Sequence, residues 1–137
     1  MKKSIRAGGM VINKNKQILV VNQNRNSWSL LKGHIDKGED KIDTAKREIY
    51  EESGVSDLKY ICELGRYQRY KIGKDVRTED KTDLKEIHMF LFHSDQEDLK
   101  PVDSHNPEAR WVHREKVADL LTHPKDKEFF LSIIDKI

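Results

Sequence analysis

The sequence predicts an α/β (α+β) fold, a mixed β-sheet covered by helices. Three observations predict it. Strand-like runs lie on both sides of one amphipathic helical stretch, a hairpin signal stands near the start, and the chain closes on apolar residues at helical spacing.

Ile5–Asn13 and Gln17–Asn22 read as a hairpin, because Lys14-Asn15-Lys16 between them supplies turn-forming residues. A polar loop, Gln23–Ser27, follows. Trp28-Ser29-Leu30-Leu31 then leads into a glycine-bounded loop from Gly33 to Gly38. Asp40 suits an N-cap and Asp43 a first helical turn, which predicts a helix from Asp40 to Ser53, closed by Gly54 in a left-handed cap. Strands are expected at Leu58–Glu63, Tyr67–Ile72, Leu84–His93 and Ala109–Val112, with a charged insert from Lys74 to Asp83. Glu115–Leu121 reads as a short helix. Lys125–Ile137 reads as another, whose Phe129, Phe130, Ile133, Ile134 and Ile137 form a stripe. Packing on the sheet explains that stripe better than a membrane surface or a partner groove.

A chain of 137 residues without repeats, low-complexity tracts or Pro/Gly/Ser-rich linkers reads as one domain, residues 1–137. Its apolar runs fall short of the roughly 18 to 20 residues that span a bilayer, so no membrane segment is expected. Met1–Arg6 is basic but leads into Ala7-Gly8-Gly9-Met10-Val11 rather than a long apolar stretch, which gives a cytoplasmic expectation. The single cysteine, Cys62, has no partner for an internal disulfide and reads as a small buried apolar residue. A net charge of +2 is too small to suggest a nucleic-acid binder, so any preference for anions must be local.

The helix carries the chemistry. With Glu48 at zero on a helical wheel, Glu52 falls at about 40° and Glu51 at about −60°, so three carboxylates share one arc. Ala45, Ile49 and Ile42 form an apolar stripe beside them, which places the glutamates at the rim of the core. Like charges at i,i+4 each cost roughly 0.2 to 0.5 kcal/mol on an exposed helix and more when partly buried. Arg47 offers local compensation through Glu51. A hard divalent ion compensates better, since Mg²⁺ takes carboxylate and carbonyl oxygens, and Gly33, Gly38 and Glu39 can bring both from the preceding loop.

Gly33, Glu39, Arg47-Glu48-Ile49, Glu51-Glu52 and Gly54-Val55 match the Nudix box, GX5EX7REUXEEXGU with U aliphatic, at every defined position. The sequence therefore resembles a Nudix hydrolase. That resemblance implies an α/β/α sandwich and hydrolysis of a nucleoside diphosphate linked to another moiety, assisted by Mg²⁺, with Mn²⁺ able to substitute. It implies Glu48, Glu51 and Glu52 as metal ligands, Glu48 or Glu52 as the water-activating residue, and the Gly33 carbonyl as a further ligand. Arg47 and Glu39 are expected to orient the site. Relatives often draw one more acidic ligand from outside the box, for which Glu86 and Glu108 are the candidates, with Glu79 behind them.

Trp28, Lys32-Gly33 and Gly38-Glu39 are similar to the WxxPKGxxxxGE pattern of the asymmetric diadenosine tetraphosphate hydrolase branch. Leu31 replaces its usual proline and Asp36 its usual glutamate. Ala7-Gly8-Gly9 and Asp126-Lys127-Glu128-Phe129 also look like that branch. Arg66, Arg69, Lys71, Lys74 and Arg77 set five cations against Asp75, a local charge of +4 that suits polyphosphate. Alternation puts Tyr67, Arg69 and Lys71 on one strand face and Tyr70 with Ile72 on the other, so one tyrosine is placed to stack a base beside phosphate-binding cations. A solvated charged strand with its tyrosines in the core is the plainer reading of those residues. Lys85 and His88 lie where branch members often place cations that contact phosphate.

The expected substrate is a small nucleotide, with diadenosine tetraphosphate giving ATP and AMP in the lead. ADP-ribose, a nucleoside triphosphate and the 5′ triphosphate end of RNA share the chemistry. A catalytically silent nucleotide sensor and a basic RNA-binding module are the alternatives from other classes, and intact Glu39, Glu48, Glu51 and Glu52 speak against the sensor. Monomer and homodimer both fit.

Overall fold

The structure, a computed structural model, describes residues 2–23, 27–72, 79–102 and 108–137, and for residues 71, 72 and 79–81 it describes the backbone. Strands β1 (Lys2–Ile12) and β2 (Gln17–Gln23) form the expected hairpin. Its turn is held by the Asn13 side chain, which accepts the amides of Asn15 and Gln17, each at 3.0 Å. Next come β3 (Ser27–Ser29), β4 (Leu31–His34), helix α1 (Lys41–Ser53), β5 (Lys59–Ile72), β6 (Glu79–His93) and β7 (Glu108–His113). Helices α2 (Arg114–Leu120) and α3 (Pro124–Ile133) follow, and a 3₁₀ turn over Ile134–Lys136 ends the chain.

The seven strands form one sheet in which β3, β2, β1, β6 and β5 lie side by side, while β4 pairs with β1 and β7 with β2. The β1–β6 pair is parallel and the others are antiparallel, so the sheet is mixed as expected. One core, with Met10, Leu30, Ile87, Met89, Phe130 and Ile133, lies under α2 and α3. The other, with Ala7, Leu31, Ala45, Ile49, Val55 and Phe92, lies under α1 on the opposite face. Fully burying a side chain such as Ile49 or Phe130 contributes about 1.5 to 3 kcal/mol, which is what fixes each helix to its face.

A split in the sheet positions everything that follows. The β1–β2 register sets Ile12 opposite Ile18. Beyond it Arg6–Gly9 turn to β4 while Val21–Gln23 turn to β3, so the two strands part.

Several expectations need correcting. Gly33 and His34 belong to β4 rather than to a loop, because the glycines of β1 admit a close antiparallel neighbour. A Cβ on Gly8 would lie 2.6 Å from Lys32 Cβ. The two strands expected around Tyr67 are one, β5, which passes Leu64-Gly65 by register shifts, with Gly65 at φ 120°. Cys62 is exposed rather than buried, since β5 is an edge strand whose residues 59–63 are all exposed. The charged insert ends earlier than expected because Glu79–Asp83 already belong to β6, and its residues 74–78 lie outside the described ones. The last helix stops at Ile133 and tightens into the 3₁₀ turn, and its stripe packs on the sheet as expected.

Candidate active site

Helix α1 begins where Asp40 accepts the Asp43 amide at 2.8 Å and ends at Gly54, whose φ of 81° and amide bond to the Tyr50 carbonyl close the last turn. Gly54 cannot carry a side chain for a second reason, since a Cβ there would strike the Lys100 backbone. That backbone caps the helix from outside, with Lys100 N–H donating to the Ser53 carbonyl at 2.8 Å and Val102 N–H to that of Glu51 at 2.9 Å. The turn that carries Glu51 and Glu52 is therefore held at its open end.

Arg47 sits at the hub of the carboxylates. Its Nε and Nη2 donate to Glu39 at 2.8 and 3.0 Å, Nη1 to Glu48 at 2.9 Å and Glu51 at 3.2 Å, and Nη2 to the His34 carbonyl at 2.8 Å. Asp36 lies 3.4 Å away. Hydrogen bonding to Glu39 first, and to Glu48 and Glu51 after it, pushes the guanidinium pKa up. The Arg47 bonds to Glu39, and after them the Asp36 amide, draw the Glu39 carboxyl down to about 2. Glu48 moves the other way, because burial outweighs Arg47 and leaves its carboxyl above the ordinary range.

Glu48 and Glu52 meet β4. A Cβ on Gly33 would run into the Glu48 carboxyl, so the glycine lets strand and carboxylate touch. Glu52, 3% exposed, accepts the Lys32 amide at 3.0 Å and Gln23 Nε2 at 2.5 Å. It thus bridges the split between β4 and the end of β2. As the side chains stand, no three acidic or histidine groups among the described residues converge on one ion-sized point, since Glu48 and Glu51 face Arg47 and Glu52 faces the strands.

A second charged cluster lies on the sheet face that α3 covers. Asp126, fully buried in the first turn of α3, accepts the Tyr67 hydroxyl at 2.5 Å and Arg69 Nη1 at 2.7 Å. Arg69 stands directly across from Lys85 in the β5–β6 ladder. Lys32 projects to the same face and is 9% exposed. Burial first, then Arg69, pulls the Lys32 pKa down to about 7 against Asp126 and Glu52, which raise it. Burial and Asp126 push the Tyr67 phenol well up.

The structure therefore gathers Gly33, Glu39, Arg47, Glu48, Glu51 and Glu52 on one side of β4 and Lys32, Tyr67, Arg69 and Lys85 on the other. Tyr67 has one ring face covered by Phe129, at 4.6 Å and 18°. Tyr70 is partly buried, and its carbonyl meets His123 Nε2 at 3.2 Å. Lys71 pairs with Asp80 in the β5–β6 ladder, and its side chain lies outside the described residues, as does that of Glu79. Glu86 and His88 are not part of either group. Glu86 meets His88 Nε2 at 3.1 Å, Gln68 at 3.5 Å and Lys3 at 3.8 Å, and the bond to His88 holds its carboxyl below the ordinary range. Glu108 is exposed and paired with Arg110 at 2.7 Å, whose guanidinium lies 4.7 Å over Trp28.

Sequence reasoning gave no role to Gln23, and it quoted Asp126 only within a branch-like string, not as a site residue. Nothing in the sequence marks Gln23. Asp126 did leave a signal, for it stands three, four and seven residues before Phe129, Phe130 and Ile133, an acid on the apolar stripe of its own helix.

The chain matches the model of the NUDIX domain over residues 2–133. It belongs to the Nudix family. Such hydrolases generally use divalent metals such as Mg²⁺ and bind small nucleotide substrates. The chain is 26% identical over 124 residues to the RNA pyrophosphohydrolase of Pelagibacter ubique, covering 83% of this chain and 78% of that protein. Among solved structures it is similar to a C. elegans Ap4A hydrolase binary complex, with a TM-score of 0.75 and 19% identity over 97% of this chain and 96% of that one. The NUDIX domain of Shewanella oneidensis NrtR, complexed with ADP ribose, gives a TM-score of 0.77 at 12% identity over 99% and 89%. These likenesses show the Nudix fold, an α/β/α sandwich. Family and relatives together make this Nudix chain a pyrophosphohydrolase. No helix among the described residues is long and apolar enough to cross a membrane.

Proposed function

We propose that this Nudix chain is a Mg²⁺-dependent hydrolase of a phosphoanhydride bond within a nucleoside polyphosphate, with diadenosine tetraphosphate, cleaved to ATP and AMP, as substrate. The observation that carries the reading is the pair Lys32-Gly33. Gly33 meets Glu48 and the Lys32 amide meets Glu52, while the Lys32 ammonium joins Arg69 on the other face. Acidic groups suited to a metal and cations suited to a phosphate chain thus adjoin through one strand.

The donor set fits a hard divalent cation. Glu48, Glu51 and Glu52 lie on one helical arc, Gly33 leaves room for a carboxylate against the strand, and Arg47 now supplies the positive charge that Glu48 and Glu51 require. Bound there, Mg²⁺ neutralises charge on the phosphate oxygens and makes a bound water more acidic. Glu48, Glu51 and Glu52 would hold it, with the Gly33 carbonyl. Glu52 accepts the Lys32 amide and Gln23 Nε2, and Glu48 accepts Arg47 Nη1, so these two carboxylates, held against β4, are the ones placed to take the proton of the attacking water. Glu39 fixes Arg47, and Arg47 fixes Glu48. Lys32, Arg69 and Lys85 take the remaining phosphates.

A second substrate has an observation behind it. The RNA pyrophosphohydrolase relative covers most of the chain, which supports the triphosphorylated 5′ end of RNA. To decide, the purified chain is incubated with Mg²⁺ and either diadenosine tetraphosphate, triphosphorylated RNA, ADP-ribose or nucleoside triphosphates, and the products are separated by ion exchange. ATP and AMP formed fastest from diadenosine tetraphosphate support the first substrate. Faster release of pyrophosphate from RNA replaces it with the second, and no cleavage with Mg²⁺ or Mn²⁺ overturns the reading.

A further inference from the structure

Three cations, Lys32, Arg69 and Lys85, share a largely desolvated face with Asp126. Like charges directly across a ladder repel, and Arg69 and Lys85 are such a pair. A long arginine side chain in that position would swing away unless something held it. Asp126 holds it at 2.7 Å by Nη1. Nε of Arg69 is buried and has no partner among the described residues. A buried guanidinium nitrogen without a partner, on a face it shares with the Lys32 and Lys85 side chains, is costly to keep, and an anion beside it removes that cost.

Asp126 is itself fixed. It accepts the Tyr67 hydroxyl, whose ring stacks on Phe129 one turn along α3. The helix start is anchored by His123, whose Nδ1 accepts the Lys125 amide at 3.0 Å. Its Nε2 therefore carries the proton and donates to the Tyr70 carbonyl at 3.2 Å. The N-terminal end of α3 also favours a negative charge in its first turn.

We propose that Asp126 is a positioning residue for polyphosphate recognition: by holding Nη1 of Arg69 it keeps Nε in place for a phosphate oxygen that Lys32 also meets. This rests on the polyphosphate reading of the cleft. Its test is calorimetric titration of the full chain with inorganic tripolyphosphate in EDTA, alongside Asp126→Asn, Arg69→Ala and the double variant. Asp126→Asn, with its thermal transition retained, is expected to bind about tenfold more weakly, as for loss of one hydrogen bond to a charged group. The double variant is expected to bind no more weakly than Arg69→Ala, because Asp126 acts through Arg69. In turnover with diadenosine tetraphosphate or triphosphorylated RNA, whichever is cleaved faster, Asp126→Asn raises KM and leaves kcat nearly unchanged.

Wild-type failure to bind tripolyphosphate overturns the polyphosphate reading and the inference with it. Wild-type binding that Asp126→Asn matches, a double variant weaker than Arg69→Ala, or a fall in kcat at constant KM overturns the role of Asp126 alone. If Asp126→Asn loses its thermal transition, Asp126→Glu takes its place. It keeps the charge but displaces Arg69 by one methylene, so undiminished binding there also overturns the role.

Discussion

The two charged clusters on either side of β4 are built on opposite plans. Around Arg47, several carboxylates crowd one cation near solvent, and every member lies between His34 and Glu51 in the chain. Around Asp126, several cations crowd one carboxylate inside the protein, and the members come from β4, β5, β6 and α3. Acid in excess near water is inexpensive to keep and ready for a cation. Cation in excess away from water is costly and suits an anion. Changes to the first cluster should therefore act mainly on turnover, and changes to the second on stability and affinity.

The largest expected effect tests the acidic side. Glu52→Gln should keep the fold, read by circular dichroism, and lower kcat by about three orders of magnitude, the upper range for loss of one electrostatic group at a reacting centre. Near-normal turnover in a folded variant would remove Glu52 from the metal site. On the other side, Asp126→Ala leaves Arg69 buried and unpaired, and should cost about 3 to 5 kcal/mol in urea unfolding. A loss below about 1 kcal/mol would mean the pair is far wetter than its burial indicates.

Gly33→Ala comes next. Its new methyl meets the Glu48 carboxyl, an overpacking expected to cost about 1 to 3 kcal/mol and to lower turnover with it. Unchanged kcat would show that β4 and Glu48 need not touch.

Lys32→Met sharpens the comparison in the opposite sense, since removing a desolvated cation should raise the thermal midpoint at neutral pH while weakening tripolyphosphate binding. The fold holds the Lys32 pKa at about 7, below its ordinary 10.5, so the charged form is penalised. That penalty is complete below about pH 7 and fades as pH rises toward 10.5, so the stability gap between variant and wild type should narrow across that window. A gap that widens instead would mean the ammonium is stabilised where it lies. The smallest effect belongs to Glu39→Gln. Glu39, drawn down to about 2, supports the fold fully above about pH 4.5 and loses that support as pH falls through about 2, so a small deficit at neutral pH should vanish in acid.

The acidic cluster was legible because its spacing is helical and its partners are local. Asp40, Gly54 and the arc of Glu48, Glu51 and Glu52 follow from helix geometry, and the order of strands follows from alternation and turn residues. Gly33 was expected in a loop, since four residues of strand after a turn carry almost no periodic signal. Cys62 was expected inside, because alternation shows that a strand has two faces and not whether a neighbour covers them.

By itself, then, the sequence determined the Nudix box, the helix that displays it and the mixed sheet beneath. These depend on interactions a few residues apart, which spacing encodes directly. Only the tertiary structure decided that β1 and β2 part, that Glu52 bridges the gap through Gln23 and Lys32, and that Asp126 reaches 57 positions back to Arg69. Those contacts join segments whose mutual approach is set by how both faces of the sheet are packed, and burial, which gives the Lys32 ammonium its character, exists only once that packing is complete.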